Sequence, residues 1–174
     1  MTRIIPWSGG PDSTYLLTHL LNDSDDEVVA LTVYPSHDPK EYSLAVDKAT
    51  RNISALLSQR LRPFTHIDYH LQSPIGRRSD ETQAAAILVA LQYDEPHIQW
   101  ASVTADTPRI FPDSLGPLAE KLANEEDVNE GVTKKKIKNY LGEDIWSLTQ
   151  SCFHPKKDLQ ACGQCYKCRE RASA

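Results

Sequence analysis

Residues 8–14 read Ser-Gly-Gly-Pro-Asp-Ser-Thr, "SGGPDST". Apolar residues flank the string: Ile4, Ile5 and Trp7 before it, Tyr15, Leu16 and Leu17 after it. An apolar run, a paired-glycine turn and a second apolar run read as strand, turn and helix. The spacing predicts a strand over 3–7 and a helix over 12–22. Gly9 and Gly10 permit backbone angles closed to other residues and let a ligand approach the chain. The helix start after them offers unpaired N–H groups and the positive end of a dipole. Ser8, Ser13 and Thr14 add hydroxyls, and the set suits a phosphate. No lysine precedes Ser13, which excludes the G-x-x-x-x-G-K-[ST] loop of ordinary nucleoside triphosphatases. Asp12 beside a phosphate makes sense as a Mg²⁺ ligand or as a cap of the turn. On the glycines alone, a tight turn with no ligand stays open as a reading.

Outward from this turn the chain alternates. "EVVALTVY" (27–34) reads as a buried strand, and Asp38 before Pro39 as the cap of a helix running to about Leu61. "FTHIDYHL" (64–71) reads as a third strand. Asp80 with Gln83 reads as a capping box for a helix ending near Tyr93, and "IQWASV" (98–103) as a fourth strand. Such alternation predicts an α/β fold: a doubly wound, mostly parallel sheet with helices on both faces. Ligands in these sheets sit at the carboxyl ends of strands, where residues 8–14 fall. "ADTPRIFPDSLGP" (105–117) carries three prolines and a glycine and reads as a long loop. Helices are expected over about 118–124 and from Lys134 to Leu141, the latter capped by Thr133 and stopped by Gly142.

The four cysteines all fall in the tail, as Cys152, Cys162, Cys165 and Cys168, spaced C-x9-C-x2-C-x2-C. Four thiolates complete a tetrahedral Zn²⁺ shell of the structural kind. The same clustering also suits an iron–sulfur centre, His154 is a spare ligand, and two disulfides would require an oxidising compartment. A metal here would fold a tail with little apolar content.

The bulk figures frame this reading. With 174 residues the chain fits one domain, divided as 1–104 (nucleotide-binding core), 105–150 (loop and helices) and 151–174 (metal tail). It is 40% hydrophobic with a net charge of −5, which speaks against nucleic acid as the main ligand. The basic cluster Lys134, Lys135, Lys136 and Lys138 reads as a solvated helix face or as a grip on an anion. No segment has the length and apolarity of a membrane span or the pattern of a signal peptide, so a cytoplasmic location is expected.

The string Ser-Gly-Gly-x-Asp-Ser-Thr after a first strand resembles the PP-loop of the N-type ATP pyrophosphatases. Joined to "SCFHPKKDLQACGQCYKCRER" (151–171), it resembles the 7-cyano-7-deazaguanine synthase family of the queuosine pathway. "ALTVYPSHDPKE", "PIGRRSDETQAAAILVALQ" and "ADTPRIFPDS" fall where that family has its second strand, its Pro-Gly-Arg-Asn turn and its Tyr-Pro-Asp-Cys-Arg segment. The resemblance implies an ATP-dependent C–N ligase. Such an enzyme converts 7-carboxy-7-deazaguanine with ammonia to the amide and then the nitrile, releasing AMP and pyrophosphate. Carried over, Ser8, Gly9, Gly10, Pro11, Asp12, Ser13 and Thr14 would hold ATP with Mg²⁺, and the backbone of Thr32, Val33 and Tyr34 would meet the adenine. Arg77 and Lys134 or Lys135 would face the anionic centre, Asp12, Arg77 and Lys135 being the catalytic candidates. The four cysteines would hold Zn²⁺. Homodimerisation through 105–135 is a further expectation.

The chain departs from the family pattern at Pro35-Ser36, Arg78 and Ser114-Leu115. These positions surround the implied acceptor pocket, so amide and nitrile both stay open as products. Two other readings stand beside this one. One is a PP-loop ATP pyrophosphatase with another acceptor, although no cysteine is spare for thiolation. The other is a non-catalytic nucleotide- or zinc-binding module.

Overall fold

The computed structural model describes residues 1–72, 78–101, 122 and 131–174. In chain order, β1 (Thr2–Pro6), α1 (Pro11–Asp23), β2 (Glu27–Pro35), α2 (Lys40–Arg60), β3 (Thr65–Leu71), α3 (Arg78–Ala90) and β4 (Pro96–Ile98) alternate, followed by α4 (Lys134–Leu148) and α5 (Tyr166–Ala172). The four strands form one sheet in the order β3-β2-β1-β4. Every pair is parallel; Ile4 sits opposite both Val29 and Ile98, and Tyr34 opposite His70.

The two-residue period of the strands divides the core. Ile5, Trp7, Val28 and Ala30 turn to one face and pack on Leu16, Leu17 and Leu20 of α1, Ile53 and Leu57 of α2, and Ile137, Leu141, Ile145 and Trp146 of α4. Ile4, Val29, Leu31, Val33 and Ile98 turn to the other and pack on Ala85, Ala86, Val89 and Ala90 of α3 and on Leu122. Strand β2 is buried from Val28 to Pro35, as a central parallel strand should be. β3, at the sheet's edge, alternates between exposed and half-buried residues.

Connections through α1 and α2 lead from β1 to β2 to β3. The connection through α3 returns past them to β4, on the far side of β1. The winding reverses at β1, and a crevice at the carboxyl end of such a strand is where open α/β sheets bind ligands. The turn at residues 7–10 is that carboxyl end.

Several boundaries differ from expectation. Pro39, not Asp38, is the residue before α2, and no side chain caps that helix. Asp38 is instead engaged by Arg78. Helix α3 begins at Arg78, upstream of Asp80, and Gln83 Oε1 is buried without a hydrogen bond, so the predicted capping box does not form. Strand β4 is shorter and earlier than the expected 98–103, because its register on β1 ends at Ile98. Thr133 does cap α4, accepting from the Lys136 amide at 3.3 Å. Gly142 breaks the helix at φ +73°, but the chain resumes helical turns to Leu148. The expected loop over 105–117, most of the helix over 118–124, and the site candidates Arg77, Ser114 and Leu115 lie outside the described residues.

Candidate functional site

The turn after β1 is built by fixed hydrogen bonds. The Trp7 amide donates to the Leu31 carbonyl at 2.7 Å, continuing the β1–β2 ladder one residue past the strand. Buried Trp7 donates its indole N–H to Thr14 Oγ1 at 3.1 Å, which ties the turn to the first turn of α1. The Ser8 amide points at Ser13 Oγ at 3.4 Å. Gly9 has φ +67°, and a Cβ there would lie 3.1 Å from Ala49 Cβ and 3.2 Å from Thr50 Cγ2 of α2. Both the backbone angle and the contact call for glycine.

Helix α1 starts without a side-chain cap: Gly10 precedes it, and Pro11 occupies the first turn. Proline has no N–H to lose, so the open donors of this start are the amides of Asp12 and Ser13. The Ser13 hydroxyl beside them donates to the Gly10 carbonyl at 3.4 Å.

Lys134 contributes the cation at this edge. Its ammonium bonds the Asp12 carboxylate and lies 3.8 Å from Glu170. Only 13% of the Lys134 side chain is exposed, so this is a held charge and not a solvated one. Lys135, one residue on, is exposed. The helical phase of α4 thus brings Lys134 to the turn, while Lys135 points away.

The tail lies across the same edge. The Gln150 amide donates to the Gly9 carbonyl at 2.8 Å, and the Gln150 side chain donates to the Cys152 carbonyl at 3.0 Å. The sulfurs of Cys152, Cys162, Cys165 and Cys168 all fall within 4.8 Å of one another. Individual separations are 3.5 Å (Cys165–Cys168), 3.8 Å (Cys162–Cys168) and 3.9 Å (Cys165–Cys152). A tetrahedron with metal–sulfur bonds of about 2.3 Å has edges of about 3.8 Å, so the four sulfurs could hold one metal ion. A cage of several irons and sulfides would hold its thiolates farther apart, and His154 is not in the cluster. Backbone amides already aim at the sulfurs: Cys162 N–H at Cys152 (3.2 Å), and Gln164 and Cys165 N–H at Cys162 (3.4 and 3.3 Å). Burial would raise the Cys165 thiol, but amide donors and the neighbouring thiols bring it down to about 6.

Thr32, Val33 and Tyr34 line the exit of β2. The Thr32 hydroxyl donates to the Trp7 carbonyl at 2.9 Å and meets His66 Nε2 at 3.0 Å. Tyr34 stacks on His70, with ring centroids 4.9 Å apart, and burial pushes its phenol up to about 12.

Beyond β2 lies a second set of charges, which includes Arg78, one of the positions where the chain departs from the family pattern. Arg78 bonds Asp38, donates to the Val33 carbonyl at 3.4 Å and stacks over the Tyr42 ring at 4.4 Å. Burial of Asp38 raises its carboxyl even against the lowering pull of Arg78. Next to this pair, His37 Nδ1 is 3.4 Å from the fully buried carboxylate of Glu81. At the end of β4 the indole N–H of Trp100 is buried without a hydrogen bond.

Among known proteins, no family model and no curated protein matches the chain. No helix among the described residues is long and apolar enough to cross a membrane.

Proposed function

We propose that the chain is an ATP-dependent C–N ligase of the PP-loop type. It would adenylate a carboxylate and pass the acyl group to ammonia, and 7-carboxy-7-deazaguanine is the acceptor we assign. The observation that carries this is the open start of α1, set at the carboxyl end of β1 where the sheet's winding reverses, with Lys134 held beside it. An uncapped helix start with two open amides, the Ser8 hydroxyl and a cation offers what a pyrophosphate leaving group needs. The missing Walker lysine fits cleavage between the α and β phosphates better than γ-phosphoryl transfer.

In this reading the amides of Asp12 and Ser13 and the Ser8 hydroxyl grip the phosphates, joined by the Ser13 hydroxyl once it turns from the Gly10 carbonyl. Lys134 neutralises charge that develops on pyrophosphate. Asp12 positions Lys134 now and would share Mg²⁺ with the phosphate oxygens when ATP is bound, in keeping with the few carboxylates Mg²⁺ takes at such sites. The four cysteines would hold Zn²⁺ in a structural role, since four thiolates complete its shell and leave no position for substrate. Such a site works by placing reactants and countering charge.

Incubation with ATP, ammonium and 7-carboxy-7-deazaguanine should give AMP, pyrophosphate and the amide or nitrile by mass. Lys134→Ala should lower turnover by about 10²-fold or more, the scale of losing one stabilising donor, while Lys135→Ala should change it little. ADP and orthophosphate as products would sink the reading.

A further inference from the structure

Glu81 is 0% exposed, and neither of its carboxylate oxygens accepts a hydrogen bond. A buried carboxylate without donors is strongly penalised, so its retention calls for a reason. Helix capping is not the reason. Glu81 lies in the first turn of α3, where glutamate often reaches back to a backbone N–H, but here it takes none. Nor does it serve Arg78, which is committed to Asp38, the Val33 carbonyl and the Tyr42 ring.

What faces Glu81 is His37, at 3.4 Å from Nδ1 to Oε2. His37 lies just past the carboxyl end of β2, and 34% of its side chain is exposed. A buried carboxylate therefore backs a partly open imidazole at the sheet's ligand edge. With Nδ1–H toward Glu81, Nε2 on the opposite side of the ring is left as a proton acceptor. This edge is continuous with the glycine turn. Gly9 is bonded to Gln150, and Gln150 to Cys152. β1 and β2 are parallel neighbours, so His37, after the carboxyl end of β2, and residues 7–10, after that of β1, share one edge of the sheet.

We propose that Glu81 and His37 form a carboxylate–imidazole pair whose Nε2 takes the proton shed by the nitrogen nucleophile. The inference rests on the ligase reading above. There, the lone pair of ammonia bonds to the acyl carbon, the C–O bond to AMP breaks, and AMP leaves with that electron pair. The nitrogen must lose one proton to end as a neutral amide. His37 Nε2 receives it and passes it to solvent. Glu81 touches no substrate; it is a positioning residue that fixes the ring's tautomer and stabilises the imidazolium. Among the described residues, the other charged and titratable groups around His37 are Asp38 from the β2–α2 turn, Arg78 from α3 and Tyr42 from α2. Arg78 offsets Asp38, so among the described residues the uncompensated negative charge behind the ring belongs to Glu81. A loosely aligned contact is ordinary for such a pair before substrate tightens it.

The test compares Glu81→Leu, Glu81→Gln and His37→Gln with the unaltered protein in turnover, melting and ¹⁵N NMR of the imidazole. Glu81→Leu removes a buried unpaired charge, so it should melt no lower than the parent, while kcat falls about 10²-fold and KM for ATP stays within about twofold. A merely structural glutamate would not lower kcat while leaving melting intact. Glu81→Gln keeps an acceptor for Nδ1–H and should fall in between. The neutral ring of His37 should carry its proton on Nδ1 in the parent and shift toward Nε2 in Glu81→Leu. Turnover of Glu81→Leu or His37→Gln within about twofold of the parent, or an Nε2–H ring in the parent, overturns the proposal. If the parent releases no AMP with the acceptor supplied, the ligase reading fails, and the tautomer comparison still decides the pair.

Discussion

Gly9 and His66 are constrained beside the candidate site, one in backbone conformation and the other in protonation state. At Gly9, φ is +67° and two α2 side chains stand closer than 3.3 Å to where a Cβ would be. Gly9→Ala should therefore lose about 1–3 kcal/mol, the scale of forcing a non-glycine residue into left-handed backbone, measured by denaturant unfolding. An unchanged midpoint would mean that the turn relaxes freely. At His66, the Thr32 hydroxyl already spends its proton on the Trp7 carbonyl, so toward the ring it accepts, and the ring carries Nε2–H. Burial lowers the His66 pKa below the ordinary imidazole range, with Asp68 opposing in part. A depressed histidine binds fewer protons folded than unfolded. Its contribution is thus complete above the unfolded value of about 6.5 and is lost as pH falls through and below that value. The melting temperature should drop between about pH 7 and pH 5, and His66→Gln should flatten that slope. An equal slope in the variant would assign the pH dependence to other groups.

At the scale of elements, what could be read from the sequence followed from period and spacing. β1, the glycine turn and α1 were legible because an apolar run, two glycines and a leucine-rich run fix strand, turn and helix locally. The four cysteines were legible because C-x2-C spacing brings thiolates together whatever surrounds them. The second half of α4 was not legible: Gly142 carries every local sign of a stop, yet Ile145 and Trp146 find the core and the helix resumes. Glu81 was not legible either. In sequence it is an ordinary first-turn acid, and it becomes buried only because α3 starts at Arg78 and packs on β2. The choice of Lys134 over Lys135 is a matter of helical phase, which a run of three lysines conceals. What holds the end of α4 is tertiary. Arg171 donates to the Thr149 carbonyl (2.9 Å) and hydroxyl (2.6 Å) and to the Trp146 carbonyl, and stacks over the Trp146 ring at 4.7 Å. Arg171→Ala should cost about 1.5–3 kcal/mol, the range for hydrogen bonds to a charged group. Arg171→Lys should not restore it, since a single ammonium cannot span those acceptors and stack. Denaturant titration reads both, and a loss below about 0.5 kcal/mol for the alanine variant would contradict the cap.

On the scale of the whole molecule, cysteine cluster and glycine turn form one mechanical unit. From Cys152 the chain runs back through Gln150 to the Gly9 carbonyl. From Cys168, α5 carries Glu170 to Lys134, and Lys134 holds Asp12 at the start of α1. Both connections end on the turn we assign to ATP, one on its backbone and one on its cation. The tail has little apolar surface of its own to fold on, so metal binding and its order should be coupled. Removing the ion with a chelator, or altering one ligand as Cys162→Ser, should lower the melting temperature. It should also weaken ATP binding, although no cysteine is placed to touch the nucleotide. Gln150→Ala should reproduce only a small part of the loss, because it removes the side-chain bond to the Cys152 carbonyl but keeps the backbone contact to Gly9, whereas Glu170→Ala should reproduce more of it by loosening Lys134. Calorimetry with ATP on metal-replete and metal-stripped protein measures the link directly. Equal affinity in the two forms, with the tail unfolded in one, would show that the glycine turn holds its shape without the cluster.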